Sequence, residues 1–124
     1  MIAQTVATDP SKAKEYFESK LAFTTGPVEL NRRIQQHEPI MVVDVREEED
    51  YAKGHIPGAI NLPKDKWHTY EGLHKHVVNV VYCYTITCHL GASAAAEFAD
   101  KGYPVMEMEG GFEGWKEKSI PIEQ

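Results

Sequence analysis

Apolar positions along the chain change their period several times, and each change marks an element. Ala13, Tyr16, Phe17 and Leu21 recur at helical spacing over Ser11–Leu21, with Asp9 or Ser11 placed to cap the first turn. This pattern predicts a helix docked on the rest of the domain, with a dimer contact as the other use of its apolar face. A short extended piece follows around Ala22–Thr24, and Gly26-Pro27 then sets a proline early in a second helix over about Val28–Gln36. The run Ile40-Met41-Val42-Val43-Asp44-Val45 is nearly continuous, β-branched and of strand length, as expected for a strand buried on both faces. Val77–Tyr82 reads the same way, Pro104–Met108 is a third such strand, and Ala59–Leu62 is a short fourth. Leu90–Lys101 is alanine-rich and stops at Gly102, a natural C-terminal cap.

Strand, helix and strand in succession make a βαβ unit. The expected fold is therefore α/β, with a roughly five-stranded parallel sheet, helices on both faces and an extra N-terminal helix. Residues 1–21 form the helical extension and 22–124 the domain proper. At 124 residues a second independent core is not expected, and neither repeats nor interdomain linkers interrupt the chain. A formal charge of −6 opposes binding to nucleic acid or to anionic membrane surfaces. Two cysteines are too few for a disulfide framework, no apolar run is long enough to span a membrane, and the N-terminus lacks a signal-like pattern. A soluble, cytoplasmic protein is the expectation, either monomeric or homodimeric.

In parallel sheets ligands gather at the carboxyl ends of strands, which directs attention to the residues after Val45 and Tyr82. Cys83 directly follows Tyr82, and Cys83-Tyr84-Thr85-Ile86-Thr87-Cys88-His89 forms a loop leading into the alanine-rich helix. Such a loop turns unpaired backbone N–H groups and the positive end of the helix dipole toward one point. A thiolate or an oxyanion would be stabilised there, so Cys83 is expected to be acidic and nucleophilic, the alternative being a buried structural thiol.

The rest of the chain carries a distinctive pattern. Asp44-Val45-Arg46, Tyr51 and the ten positions Gly54-His55-Ile56-Pro57-Gly58-Ala59-Ile60-Asn61-Leu62-Pro63 resemble the first signature of the rhodanese family, and Gly110-Gly111-Phe112-Glu113-Gly114-Trp115 resembles its second. The resemblance implies a sulfurtransferase. Cys83 would take sulfane sulfur from thiosulfate or a persulfide, hold it as a cysteine persulfide, and pass it to a thiol or cyanide acceptor. Loop residues 84–89 would bind the donor's anionic end, and no cofactor or metal would be needed. Asp44 and Arg46 would brace the loop, with His55 a supporting residue that hydrogen-bonds neighbouring backbone. The donor is expected to be a small molecule or a persulfide carried on another protein.

This loop departs from the family pattern. It contains neither Lys nor Arg, runs about one residue long, and carries the apolar Tyr84 and Ile86. Weak use of thiosulfate is therefore expected, with a persulfide as the better donor. Phosphatases that share the fold have loops of this length, but theirs end in an arginine that grips phosphate bidentately, and His89 has no such geometry. Cys88 stands nearer the helix start, so it could be the more acidic thiol, and it opens two further readings: a thiol redox or persulfide-reductase role using both cysteines, and a loop disulfide. A non-catalytic binding module is the remaining alternative. Cys83, Cys88 and His89 on one tight loop are too few and too close for a closed zinc site, and His74 and His76 lack a third ligand. Glu47–Asp50 suits the acidic first turn of a helix.

Overall fold

A computed structural model describes residues 8–124, so the first seven residues of the expected 1–21 extension lie outside the described residues. Five parallel strands, β1 (Thr24–Thr25), β2 (Ile40–Asp44), β3 (Ile60–Asn61), β4 (Val78–Tyr82) and β5 (Val105–Met108), form one sheet in the order β1-β5-β4-β2-β3. From β2 the chain first moves outward to β3 and then crosses to the opposite side of β2 to lay down β4. The two central strands are therefore the point where the winding reverses. Their carboxyl ends open the crevice where α/β sheets place ligands.

The β-branched runs of β2 and β4 alternate between two cores. Val42, Val80 and Tyr82 face one layer with Leu30, Ile56, Met108, Phe112 and Trp115, whereas Val43, Val81 and Cys83 face the other with Leu62, Trp67, Ala94 and Phe98. Helices α2 (Pro27–Gln35) and α5 (Gly111–Glu117) supply the first layer, and α4 (Leu90–Asp100) supplies the second. The short α3 (Glu48–Lys53) follows β2 and opens on the acidic turn expected of Glu47–Asp50. A 3-10 helix at Lys64–Thr69 was not foreseen. Its sequence is polar except for Trp67, whose indole is buried and donates to the Leu62 carbonyl at 3.0 Å.

Helix α1 (Pro10–Phe23) forms as expected, with Asp9 as its cap accepting from the Ser11 and Lys12 amides. It runs two residues further than expected, so Ala22 and Phe23 are helical and only Thr24–Thr25 is extended. The face expected to dock is uncovered: Tyr16 is 61% exposed and Leu21 79% exposed. The helix is held at its C-terminal end, through β1 and a Lys20–Glu109 ion pair at 3.0 Å. Helical spacing dictated which side chains share a face, but the strand that follows leads the chain away before that face reaches the core.

Candidate active site

Tyr82, the last residue of β4, is fully buried and starts the support of the site. Its hydroxyl donates to Asp44 Oδ2 at 2.6 Å and accepts from the Ile56 amide at 3.1 Å. Asp44 also receives Arg46 in a two-pronged pair, with Nη2–Oδ2 at 2.8 Å and Nε at 3.1 Å from both carboxylate oxygens. Arg46 donates further to the Gly54 carbonyl at 2.6 Å and lies over the Phe112 ring at 4.1 Å. Charges this deeply buried are tolerable only when paired, and here Nε and Nη2 of Arg46 and both Asp44 oxygens have partners. Asn61 ties the same corner together by donating to the Asp44 and Arg46 carbonyls, both at 3.0 Å. Asp44 and Arg46, expected to brace the loop, pair with each other and with Tyr82, the residue before Cys83, and neither lines the cysteine cavity.

His55 supports the fold at another place. Its Nδ1 pairs with the Tyr51 carbonyl at 2.8 Å, its ring stacks on Tyr51, and its backbone pairs with Glu123. His55 is not among the residues that line the cysteine pocket.

The loop itself is backbone chemistry. Cys83 leaves β4 on the α4 side, 3% exposed, and its thiol donates to the Cys88 carbonyl at 3.6 Å. The loop turns back through Cys88 N–H to the Thr85 carbonyl at 3.2 Å and enters α4 at His89, whose side chain does not cap it. From the opposite side α5 clamps the loop, Phe112 N–H donating to the Cys83 carbonyl at 2.8 Å and Glu113 N–H to the Tyr84 carbonyl at 3.0 Å. That clamp requires glycine at 111. Its φ is +63°, and a Cβ there would lie 2.5 Å from the Tyr84 carbonyl carbon.

Cys83, Thr85, Ile86, Cys88 and His89 line a cavity of about 110 Å³ closed by Glu107, Glu109, Gly110 and Gly111. It is far smaller than the roughly 300–1,000 Å³ of pockets that enclose drug-sized ligands, and it suits a few heavy atoms at the tip of a donor. Ile86 forms the exposed lip of the loop. Tyr84 and Thr87, expected to contact a donor, do not line the cavity. Tyr84 instead turns outward, its hydroxyl donating to Asp50 Oδ2 at 2.6 Å and accepting from the Glu47 amide at 3.1 Å. The contribution of Tyr84 to the site is its backbone amide, which reaches the sulfurs.

The expected acidity of Cys83 is corrected. Burial pushes its thiol up to about 11, helped by its hydrogen bond to the Cys88 side chain, and the Gly91 and Tyr84 amides only partly offset this. Cys88 moves the other way. Burial opposes its thiolate, but the neighbouring Cys83 side chain and the Leu90, Tyr84 and Thr85 amides hold it below the ordinary thiol value. The loop therefore does stabilise a thiolate, as its N–H groups dictate, but on the less buried of the two sulfurs. Glu107 is the wall residue that sequence reading missed. The one hint was a carboxylate between Met106 and Met108 in an otherwise apolar strand. Among the described residues no group of three or more His, Cys, Asp or Glu is arranged to hold a metal ion, and no helix is long and apolar enough to cross a membrane.

Residues 26–118 match the family model of the rhodanese-like domain. The chain belongs to the rhodanese-like domain family. Its sequence is 33% identical over 100 residues to the HTH-type transcriptional regulator Rv0324 of Mycobacterium tuberculosis, a match over 77% of this chain and 42% of the regulator. The chain thus accounts for less than half of that relative's length. It is also 29% identical over 107 residues to the thiosulfate sulfurtransferase GlpE of Actinobacillus succinogenes, covering 83% of this chain and 93% of that protein. Among solved structures, the BH2092 protein from Bacillus halodurans superposes with a TM-score of 0.85 at 36% identity, over 93% of this chain and 86% of that one. This rhodanese-like domain shares the five-stranded parallel α/β architecture that its sequence led us to expect.

Proposed function

We propose that this rhodanese-like domain is a sulfurtransferase that carries sulfane sulfur on Cys83. The observation that supports the reading best is the seating of Cys83 at the carboxyl end of the central strand, its sulfur facing the amides of Tyr84 in the loop and Gly91 in the first turn of α4. The similarity to a protein named thiosulfate sulfurtransferase agrees with it. The Cys83 thiol loses its proton to solvent base, and its sulfur bonds to the outer sulfur of the donor. A thiol persulfide, RS–SH, then leaves as the thiol RSH, and Cys83 holds the persulfide. Thiosulfate would give the same persulfide and release sulfite. In the second half an acceptor thiolate attacks the terminal sulfur, carries it off as a new persulfide, and the Cys83 thiolate regains its proton. The amide cluster holds the terminal sulfur in both halves without reorganising.

A second reading rests on the two thiols that line one cavity, the Cys83 thiol donating to the Cys88 carbonyl at 3.6 Å. Attack of the Cys88 thiolate on the Cys83 sulfur of a loaded persulfide would expel hydrosulfide and leave a Cys83–Cys88 disulfide, which two equivalents of a small thiol would reduce. This is persulfide reduction rather than transfer.

Turnover separates the two. With glutathione persulfide as donor and cyanide as acceptor, transfer predicts thiocyanate from wild type, none from Cys83→Ser, and retained though slower product from Cys88→Ser. Reduction predicts hydrosulfide release that Cys88→Ser abolishes. Thiocyanate formation by Cys83→Ser at the wild-type rate would refute the assignment of the carrier.

A further inference from the structure

We propose that Glu107 sets the charge of the donor this site accepts, turning away dianions such as thiosulfate in favour of persulfides of small thiols that carry at most one negative charge at the reacting end. This inference rests on the sulfur-transfer reading and names its substrate class. Glu107 lies on β5 in register with Val81 of β4, so its side chain leaves the sheet on the same face as Val81 and Cys83, toward α4. There it enters the notch left by Gly91 in the first turn of that helix. A Cβ at Gly91 would sit 2.7 Å from Glu107 Oε2 and 3.6 Å from Cys83 Sγ, so carboxylate and thiol share the space vacated by one methyl group. Glycine at 91 is what allows both to approach.

The consequence is electrostatic. A sulfonate delivered to Cys83 would depend on the N-terminus of α4, because no Lys or Arg lines the cavity. Glu107 already holds that place with a negative charge. The charged or titratable groups that face it are Cys83, Cys88 and His89 from the loop, Glu109 from the end of its own strand, and Lys20 from α1. Lys20 is engaged with Glu109 at 3.0 Å, which leaves Glu107 as the carboxylate of the cavity wall without a strong ion pair. Burial and the neighbouring Glu109 raise its pKa, against the opposing pull of His89 and Lys20. Acid should therefore neutralise Glu107 more readily than an ordinary carboxylate and relax the exclusion. The discrimination is thus expected to fall as pH falls.

The test measures the rate of Cys83 persulfide formation by intact-protein mass spectrometry, with thiosulfate and with 2-hydroxyethyl persulfide as donors. It uses the wild type, Glu107→Gln and Glu107→Asp, after thermal melts have established that the variants are folded. We expect Glu107→Gln to raise the thiosulfate-to-alkyl-persulfide rate ratio about tenfold at pH 7.5, since removing one nearby charge acts about twice as strongly on a dianion as on a monoanion. Glu107→Asp should keep most of the wild-type discrimination. Lowering the pH should raise the ratio more in wild type than in Glu107→Gln, a difference that a merely structural role would not produce. A ratio unchanged by Glu107→Gln while Cys83 is loaded by either donor overturns the proposal and leaves sulfur transfer standing. Failure of both donors to load Cys83 in every folded variant overturns sulfur transfer and this inference together.

Discussion

Two halves of one site, the Asp44–Arg46–Tyr82 corner and the Cys83–His89 loop, are built on opposite principles. The corner is made of side chains: a carboxylate, a guanidinium and a phenol, all buried and mutually hydrogen-bonded at 2.6–3.1 Å. The loop is made of backbone. Its two thiols are surrounded by amides from Tyr84, Thr85, Leu90 and Gly91, and its side chains either turn away, as Tyr84 does, or stand in solvent, as Ile86 does at 80% exposure. A rigid corner can therefore position a loop whose side chains change, provided that its backbone path stays fixed. The loop lacks the basic residues expected of the family, and its amide cluster is in place without them.

The sharpest way to break this comparison is Asp44→Ala, which strands the buried Arg46 guanidinium and removes the acceptor of Tyr82. We expect a loss of about 3–5 kcal/mol of stability in urea denaturation, so that the loop fails because its base has gone. Gly111→Ala comes next. The added Cβ meets the Tyr84 backbone at a position with φ +63°, and a loss of about 1–3 kcal/mol is expected, with Cys83 loading reduced by more than the stability change explains. A smaller effect sharpens the contrast between the thiols. Iodoacetamide at pH 7 should modify Cys88 at least about tenfold faster than Cys83, as mapped by peptide mass spectrometry. Labelling of Cys83 should climb with pH toward about 11, because the thiolate accumulates as pH rises and burial has raised its pKa. Equal rates at pH 7 would refute the assignment of the thiolate to Cys88. Ile86→Ala should be the mildest, changing stability by no more than about 0.5 kcal/mol, since the side chain covers nothing.

What could be read from the sequence follows from what each signal measures. The strands around Val42–Val43 and Val80–Val81 were plain because continuous β-branched runs of that length have few other uses. Cys83 was found because strand-end position and the flanking signatures both lie in the linear order. The segment Lys64-Asp65-Lys66-Trp67-His68-Thr69 offered one apolar residue and no period, so its 3-10 turn was invisible until Trp67 met Phe98 in the second core layer. Helix α5 was hidden for a similar reason, being short and broken by glycines whose role is close approach. That Cys88 could be the more acidic thiol was legible from its place nearer the helix start, but the burial that raises Cys83 depends on Trp67, Phe98 and Ala94 packing from distant positions. Glu107 joins the site only because β5 lies beside β4 in the sheet.

The central claim is that Cys83 carries the transferred sulfur, and peptide-level mass spectrometry tests it most directly. Wild-type protein is incubated briefly with glutathione persulfide, blocked with an alkylating agent at low pH, digested and mapped. A gain of about one sulfur, about 32 Da, on the peptide bearing Cys83, lost on adding an acceptor thiol and absent in Cys83→Ser, is the predicted result. Sulfur found only on Cys88, and persisting there in Cys83→Ser with full transfer to the acceptor, would contradict the account.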